Sequence, residues 1–298
     1  MNEYAATPEI FLEQEHNLKV AHRQTISNIF MNWEDLEHTL KKKHCRLLTF
    51  PGTLLLLIPR FQLYDDILYI AASKDELTAA FASLQAGYPH ERVMHVTIIG
   101  KEETITPEVD SLRALNFLLV SVLARMRVIK NPAMITVIRD LLAARDDANS
   151  YLPSFAEEAD AEGVYKLLAE EFDICADALP EPEEVLENIR KRQVIVIKHM
   201  GEIVCTHYFS IHHSIYFGLY DATHKDFRKK FLLPRIDLFK LESDDPRFKN
   251  INRRYGWRNT AKKRLIAFDK KYNSIPDGVY IYNLVWSANK VELNCVTL

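Results

Sequence analysis

Four histidines stand close together in the second half of the 298-residue chain: His207, His212, His213 and His224. An imidazole titrates near neutrality, so each can take or give a proton at physiological pH. If they lie on strands, alternation puts His207 and His213 on one face and His212 on the opposite one. A metal site would need a third spaced ligand or a carboxylate partner, which the spacing does not supply. Asp221, beside Tyr220, has the chemistry to deprotonate an ammonium group directly or through water. Arg228-Lys229-Lys230 follow as three consecutive cations suited to an anion. Tyr255 and Trp257 are interleaved with Arg253, Arg254 and Arg258, the composition of a stacking platform for nucleic-acid bases. Serines, histidines and acids are too scattered to define a nucleophilic triad. Cys45, Cys175, Cys205 and Cys295 are far apart with no Cys-x-x-Cys pair, so they read as reduced thiols rather than disulfides or zinc ligands.

Charge is unevenly spread around these candidates. The formal net charge is −3, from 38 Lys and Arg against 41 Asp and Glu. Lys225 to Lys271 alone holds 16 basic and 6 acidic residues, a local charge of +10, while Asp146 to Glu187 supplies much of the opposing charge. That polarity points to an anionic ligand or an acidic partner near the basic segment. A hydrophobic fraction of 48% excludes wholesale disorder. The longest purely apolar run is Leu54 to Ile58, far short of a membrane span. Met1-Asn2-Glu3-Tyr4 does not resemble a secretory signal, so the expected location is cytoplasmic. With eight glycines, no glycine-rich phosphate loop of either nucleotide-binding type is present.

The elements that must position these residues alternate. Thr7-Pro8-Glu9 reads as an N-cap with proline in the first helical turn, and Trp33 to Lys43 as an amphipathic helix. Arg46 to Phe50, Thr53 to Pro59 and Asp66 to Ala71 read as strands, with a hairpin at Pro51-Gly52. Ser73-Lys74-Asp75-Glu76 is a capping box for a helix to about Leu84. His95 to Ile99 reads as a strand and Ser111 to Met126 as a buried helix. A domain boundary is expected within 131–154, giving an N-terminal domain to about 145 and a C-terminal one from 146. Beyond it, helices at 159–172 and 180–192 precede strands Val194 to Lys198, Glu202 to His212 and Ser214 to Thr223. Then come a helix from Asp226 to Leu241, a strand from Phe248 to Arg253, a helix from Thr260 to Tyr272 and a strand from Val279 to Trp286.

That order resembles the GNAT superfamily of N-acyltransferases over about Tyr151 to Trp286. Phe155-Ala156-Glu157-Glu158-Ala159-Asp160 looks like the family's opening strand and turn. His199-Met200-Gly201-Glu202-Ile203-Val204-Cys205 is similar to its second hairpin. Tyr220 through Lys230 looks like the fourth strand entering the coenzyme loop, and Gly256-Trp257-Arg258 and Asp277-Gly278-Val279-Tyr280 match the late strand and closing hairpin. The first half repeats the core order, so the resemblance implies α/β architecture with mixed, mainly antiparallel sheets flanked by helices, in two GNAT-like domains in tandem. In the first, Ser73-Lys74-Asp75-Glu76 stands where the coenzyme loop would be.

The resemblance implies acyl transfer from acetyl-CoA or another acyl-CoA, without a metal, to a small-molecule or peptide amine by direct attack. Coenzyme A lies between the fourth and fifth strands, its diphosphate on backbone N–H groups at the next helix start. This assigns cofactor binding to Leu219, Tyr220, Asp221, Arg228, Lys229, Lys230, Phe231 and Leu232. Asp221 is the candidate base, and Tyr255 the second candidate catalytic residue, lining an acceptor pocket with Trp257. Two departures stand out. Phe231 and Leu233 occupy positions where small residues let backbone approach phosphate, and aligning the family's Gly-Phe pair on Tyr272-Asn273 puts Phe268 in place of the proton-donating tyrosine. Two other functions are open to the same scaffold: an aminoacyl-tRNA-dependent transferase, and a non-catalytic protein that binds an acidic ligand or partner.

Overall fold

The computed structural model describes residues 1–129, 132–145, 150–271 and 274–288. Its elements fall into two compact units, one of Met1–Val122 with the strand residues from Gly278 onward, the other of Leu123–Asp277. In chain order the first half contains β1 (Asn2–Ala5), α1 (Pro8–Ala21), β2 (Ile26–Ser27), α2 (Trp33–Lys42), β3 (Arg46–Phe50), β4 (Thr53–Arg60), β5 (Tyr64–Ala71), α3 (Lys74–Gly87), β6 (Val93–Lys101), α4 (Glu102–Ala114) and β7 (Leu118–Val128). The second contains α5 (Pro132–Ala143), β8 (Pro153–Phe155), α6 (Ala161–Glu171), α7 (Pro182–Arg190), β9 (Val194–His199), β10 (Glu202–His212), β11 (Ile215–Thr223), α8 (Leu232–Glu242), α9 (Pro246–Lys249), β12 (Arg253–Asn259), α10 (Lys263–Lys271) and β13 (Ser274–Ser287).

Unit 1 is a sheet covered on both faces. β1, β3, β4 and β5 pair antiparallel in that order, and β6 joins β5 in parallel. β13 adds to β6, with Val279 opposite Lys101 and Ser287 opposite Val93. Alternation along β4 divides its residues: Leu55 and Leu57 face a core with Leu77 and Phe81 of α3 and Val109 of α4, whereas Leu54, Leu56 and Ile58 face Phe11 of α1 and Leu36 of α2. Burial on both faces is why residues 54–58 of β4 and 67–71 of β5 read as unbroken apolar runs. The caps expected from sequence are present: Ile10 N–H donates to Thr7 Oγ1 at 3.3 Å and Glu76 N–H to Ser73 Oγ at 3.2 Å.

Unit 2 orders its strands β8, β9, β10, β11, β12, with residues 123–128 of β7 beyond β12. β11 and β12 are parallel and the other pairs antiparallel. α8 and α9 supply Leu232, Ile236 and Phe248 to a core with Ile195, Ile197, Phe209 and Tyr216. Among the described residues, no helix is long and apolar enough to cross a membrane.

Four expectations are corrected. No helix runs from Ser111 to Met126: α4 ends at Ala114, Asn116 turns left-handed at φ 63°, and Leu118–Val128 is a strand, its β-branched valines suited to extended backbone. The partition falls at Val122/Leu123, not near 145, because the second half of β7 pairs with β12. The helix expected from Asp226 is a 3-10 turn, Lys225–Lys230, with α8 only from Leu232. The strand expected from Phe248 is instead α9, capped by Asp245 ahead of Pro246, and β12 starts at Arg253.

Candidate functional site

The site begins where two parallel strands part. β11 and β12 pair only from Ile215↔Arg253 to Gly218↔Gly256. Beyond that, Tyr220 to Thr223 pair with β10, and Trp257 to Asn259 pair with β7. Two glycines face each other at the fork, where a Cβ on Gly218 would lie 3.7 Å from the Tyr255 carbonyl oxygen. Leu219 is the extra residue of a β-bulge: Phe209 pairs with Gly218, but Tyr208 pairs with Tyr220. Bulges re-aim neighbouring side chains, and this one sets His207 opposite Asp221.

His207 and Asp221 are bonded at 2.5 Å between Nδ1 and Oδ1. A carboxylate only accepts, so the proton is on Nδ1 and the bare Nε2 accepts. The Tyr216 hydroxyl donates to it, and Lys240 Nζ lies 3.2 Å away. Lys240, 4% exposed, also donates to Tyr216 Oη at 3.1 Å and pairs with Asp237 at 2.7 Å. On the other side of Asp221, Arg258 reaches from β12 to place Nη2 3.5 Å from Oδ2, while its Nε donates to Asp269 of α10 at 2.7 Å. A chain of buried and half-buried polar groups thus links α8, β10, β11, β12 and α10.

Burial and the neighbouring Lys240 cation push the His207 imidazole below its ordinary range, keeping it neutral. Burial alone would raise Asp221, but the His207 hydrogen bond and the Arg258 and Lys240 cations outweigh it, and the carboxyl stays well below the usual carboxylate range. Burial also works against the Lys240 charge, yet Asp237 and Tyr216 hold it above the ordinary lysine range.

The candidate coenzyme residues are drawn to the same end of β11. His224 caps the 3-10 turn, its Nδ1 accepting from Asp226 N–H at 3.4 Å. Phe231 then adopts φ 56° and ψ 41°. This is the left-handed conformation that glycine takes freely and a phenylalanine pays roughly 1–2 kcal/mol to enter. Its ring lies at the surface, 44% exposed, under the Arg145 guanidinium at 5.2 Å. So a large residue stands in a conformation that glycine ordinarily takes. α8 starts directly after it, with Pro234 in its first turn in place of one N–H donor. Arg228 is bonded to the Glu171 carboxylate and donates to the Thr223 carbonyl at 3.4 Å.

Other candidates are placed differently. The Tyr220 hydroxyl donates to the Ala178 carbonyl at 2.5 Å and its ring packs on Phe172, leaving only its backbone beside the fork. Tyr255 lies before the fork, stacked on Phe217 with Arg125 4.6 Å above its ring. His213 sits in the β10–β11 turn at φ 55°, so its side chain does not share the His207 face. The Tyr272-Asn273 pair lies outside the described residues. Lys240 was not singled out by sequence, although Leu232, Ile236 and Lys240 share i, i+4, i+8 spacing that sets it on the apolar stripe of α8. Among the described residues, no group of three His, Cys, Asp or Glu converges as metal ligands.

No family model matches the sequence, and no curated protein matches it. Solved structures do match its fold. A tandem GNAT protein from the clavulanic acid biosynthesis pathway, solved without acetyl-CoA, superposes with a TM-score of 0.60 at 11% identity, covering 97% of this chain and 98% of its own. A GCN5-related N-acetyltransferase from Sphaerobacter thermophilus matches with a TM-score of 0.56 at 11% identity, covering 96% and 95%. A probable N-acyltransferase from Enterococcus faecalis V583 matches with a TM-score of 0.55 at 11% identity, covering 99% and 73%. The chain has the GNAT fold. It carries that fold in tandem.

Proposed function

We propose that unit 2 is an N-acyltransferase that uses an acyl-CoA and acts on a small-molecule or peptide amine. The observation that carries this reading is the fork between β11 and β12, followed directly by a left-handed turn into α8. A parted pair of strands opens a gap along which an amide-bearing arm can lie against backbone, and a helix start favours an anion. The backbone of Leu219, Tyr220 and Asp221 would hold the pantetheine arm, and the amides of Phe231, Leu232 and Leu233 the diphosphate. Arg228, Lys229 and Lys230 add positive charge beside them. When bound, the thioester supplies an activated acyl carbon.

The chain's own groups do the rest. Asp221, ionised and next to the fork, attracts an ammonium acceptor and orients it through a charge-assisted hydrogen bond. Held so low, it is a weak base, and its role is to orient the acceptor while the proton leaves through water. Arg258 and His207 fix both of its oxygens, which limits the positions an acceptor can take. Tyr255 supports the strand ahead of the fork.

Thermal shift tests the reading. Acetyl-CoA or coenzyme A at a hundred times its Kd stabilises by about 2.7 kcal/mol, and the midpoint should rise visibly. Arg228→Ala combined with Lys229→Ala should reduce that rise. A rise with tRNA alone would favour an aminoacyl-tRNA donor, and silence with every ligand would leave a non-catalytic scaffold.

A further inference from the structure

In unit 1, β5 and β6 repeat the arrangement of β11 and β12. They run parallel and pair only at Tyr64↔Val93, Asp65↔Met94 and Asp66↔His95, then part. The edge of β5 that β6 leaves is already taken. β2 lies along it antiparallel, with Ile26 opposite Ala71 and Ser27 opposite Ile70. Asn28 continues the insertion. Its N–H donates to the Tyr69 carbonyl at 3.3 Å, and its Oδ1 accepts from Tyr69 N–H at 2.6 Å. Its Nδ2 donates at 3.0 Å to Ile67 O on β5 and at 3.0 Å to Thr97 O on β6. A single carboxamide, 4% exposed, spans the parted strands with both its donor hydrogens and its oxygen engaged.

The helix start beyond this fork is occupied as well. Ser73 caps α3, and the Glu76 carboxylate lies so close to Gly52 that a Cβ there would meet it at 2.4 Å. A carboxylate therefore fills the place beside a helix N-terminus that a phosphate would seek.

We infer that unit 1 is closed to acyl-CoA by its own chain: Ile26 to Asn28 take the place of an amide-bearing arm, Glu76 takes the place of phosphate, and the protein binds one acyl-CoA per chain. The count of one rests on the reading of unit 2 above; the closure of unit 1 does not. An inserted segment satisfied on both strands opens only when its buried hydrogen bonds break together, so the Tyr69 amide is shielded from solvent with or without ligand.

Hydrogen exchange on the full-length chain, with and without acetyl-CoA, tests this, alongside a calorimetric count of sites. The peptide covering 67–71 should exchange slowly, at a rate that acetyl-CoA leaves unchanged, with one site per chain. Fast exchange there, a ligand-dependent rate, or two sites per chain would overturn the closure. Zero sites would overturn the reading of unit 2, while slow exchange at 67–71 would still uphold the closure. Asn28→Gly should speed exchange at 67–71 at least tenfold; an unchanged rate would show that the carboxamide does not hold the fork. If that variant does not fold, the wild-type rates decide.

Discussion

Replacing Phe231 by glycine and, separately, by alanine removes the same ring and the same contact with Arg145. The two variants differ in what the backbone then costs. Alanine keeps a Cβ at φ 56°, where the left-handed penalty is roughly 1–2 kcal/mol. Glycine loses that penalty but gains unfolded-state freedom worth about 0.4–1 kcal/mol. The difference leaves Phe231→Gly more stable than Phe231→Ala by about 0.8 kcal/mol at the middle of both ranges (about 0–1.6 at their ends), or about 2–3 °C in the midpoint for a unit of this size. Trp257 is the one of the three tryptophans that lies in unit 2. Its fluorescence in a Trp33→Phe, Trp286→Phe background follows unit 2 through urea or heat. A higher midpoint for alanine than for glycine would refute the left-handed turn and with it the coenzyme-loop reading.

Unit 2 should lose stability on acidification in two steps. Folded His207 sits below its ordinary value of 6.5, so the unfolded chain binds the extra proton and stability falls as pH drops through about 6.5. Folded Asp221 sits below its ordinary 3.8 and adds a second loss from there down; a midpoint flat from pH 7.5 to 5 contradicts the first step, and His207→Gln should flatten it. Lys240→Met removes the cation that depresses His207, so the imidazole should titrate at higher pH by NMR, at a stability cost of about 1–3 kcal/mol for the partners left behind. Cys205, pushed up to about 12 by burial, and Cys45, pushed up to about 11, should resist iodoacetamide at pH 8 in the native state and react once urea unfolds the chain.

Much of the fold was legible because local signals and tertiary packing agree. Thr7 and Ser73 mark helix starts that the structure keeps, and the apolar runs of β4 and β5 announce strands covered on both faces. Legibility failed where one residue departs from its usual behaviour. Asn116 in the left-handed region turns an apparently continuous apolar run into a helix end and a strand. Phe231 makes the same conformation invisible in the turn ahead of α8, since nothing about phenylalanine signals a positive φ. Counting back from the turn at His213 sets His207 opposite Tyr220; only the bulge at Leu219 moves it opposite Asp221. His207 and Asp221 were both candidates, but their pairing was hidden by that one extra residue. Asn28 carries no sequence signal, because its partners Ile67, Tyr69 and Thr97 are backbone groups far along the chain.

The pairing of Val279 to Ser287 with β6 has a bearing on how the protein is made. On the ribosome β6 emerges long before the strand that lies against it, a delay of roughly ten to forty seconds at ordinary elongation rates. Through that interval a nascent unit 1 presents a bare, largely apolar strand rim, the kind of surface that recruits foreign strands or a chaperone. Truncation ahead of Gly278 would make that exposure permanent, turning an incomplete sheet into a seed for precipitation.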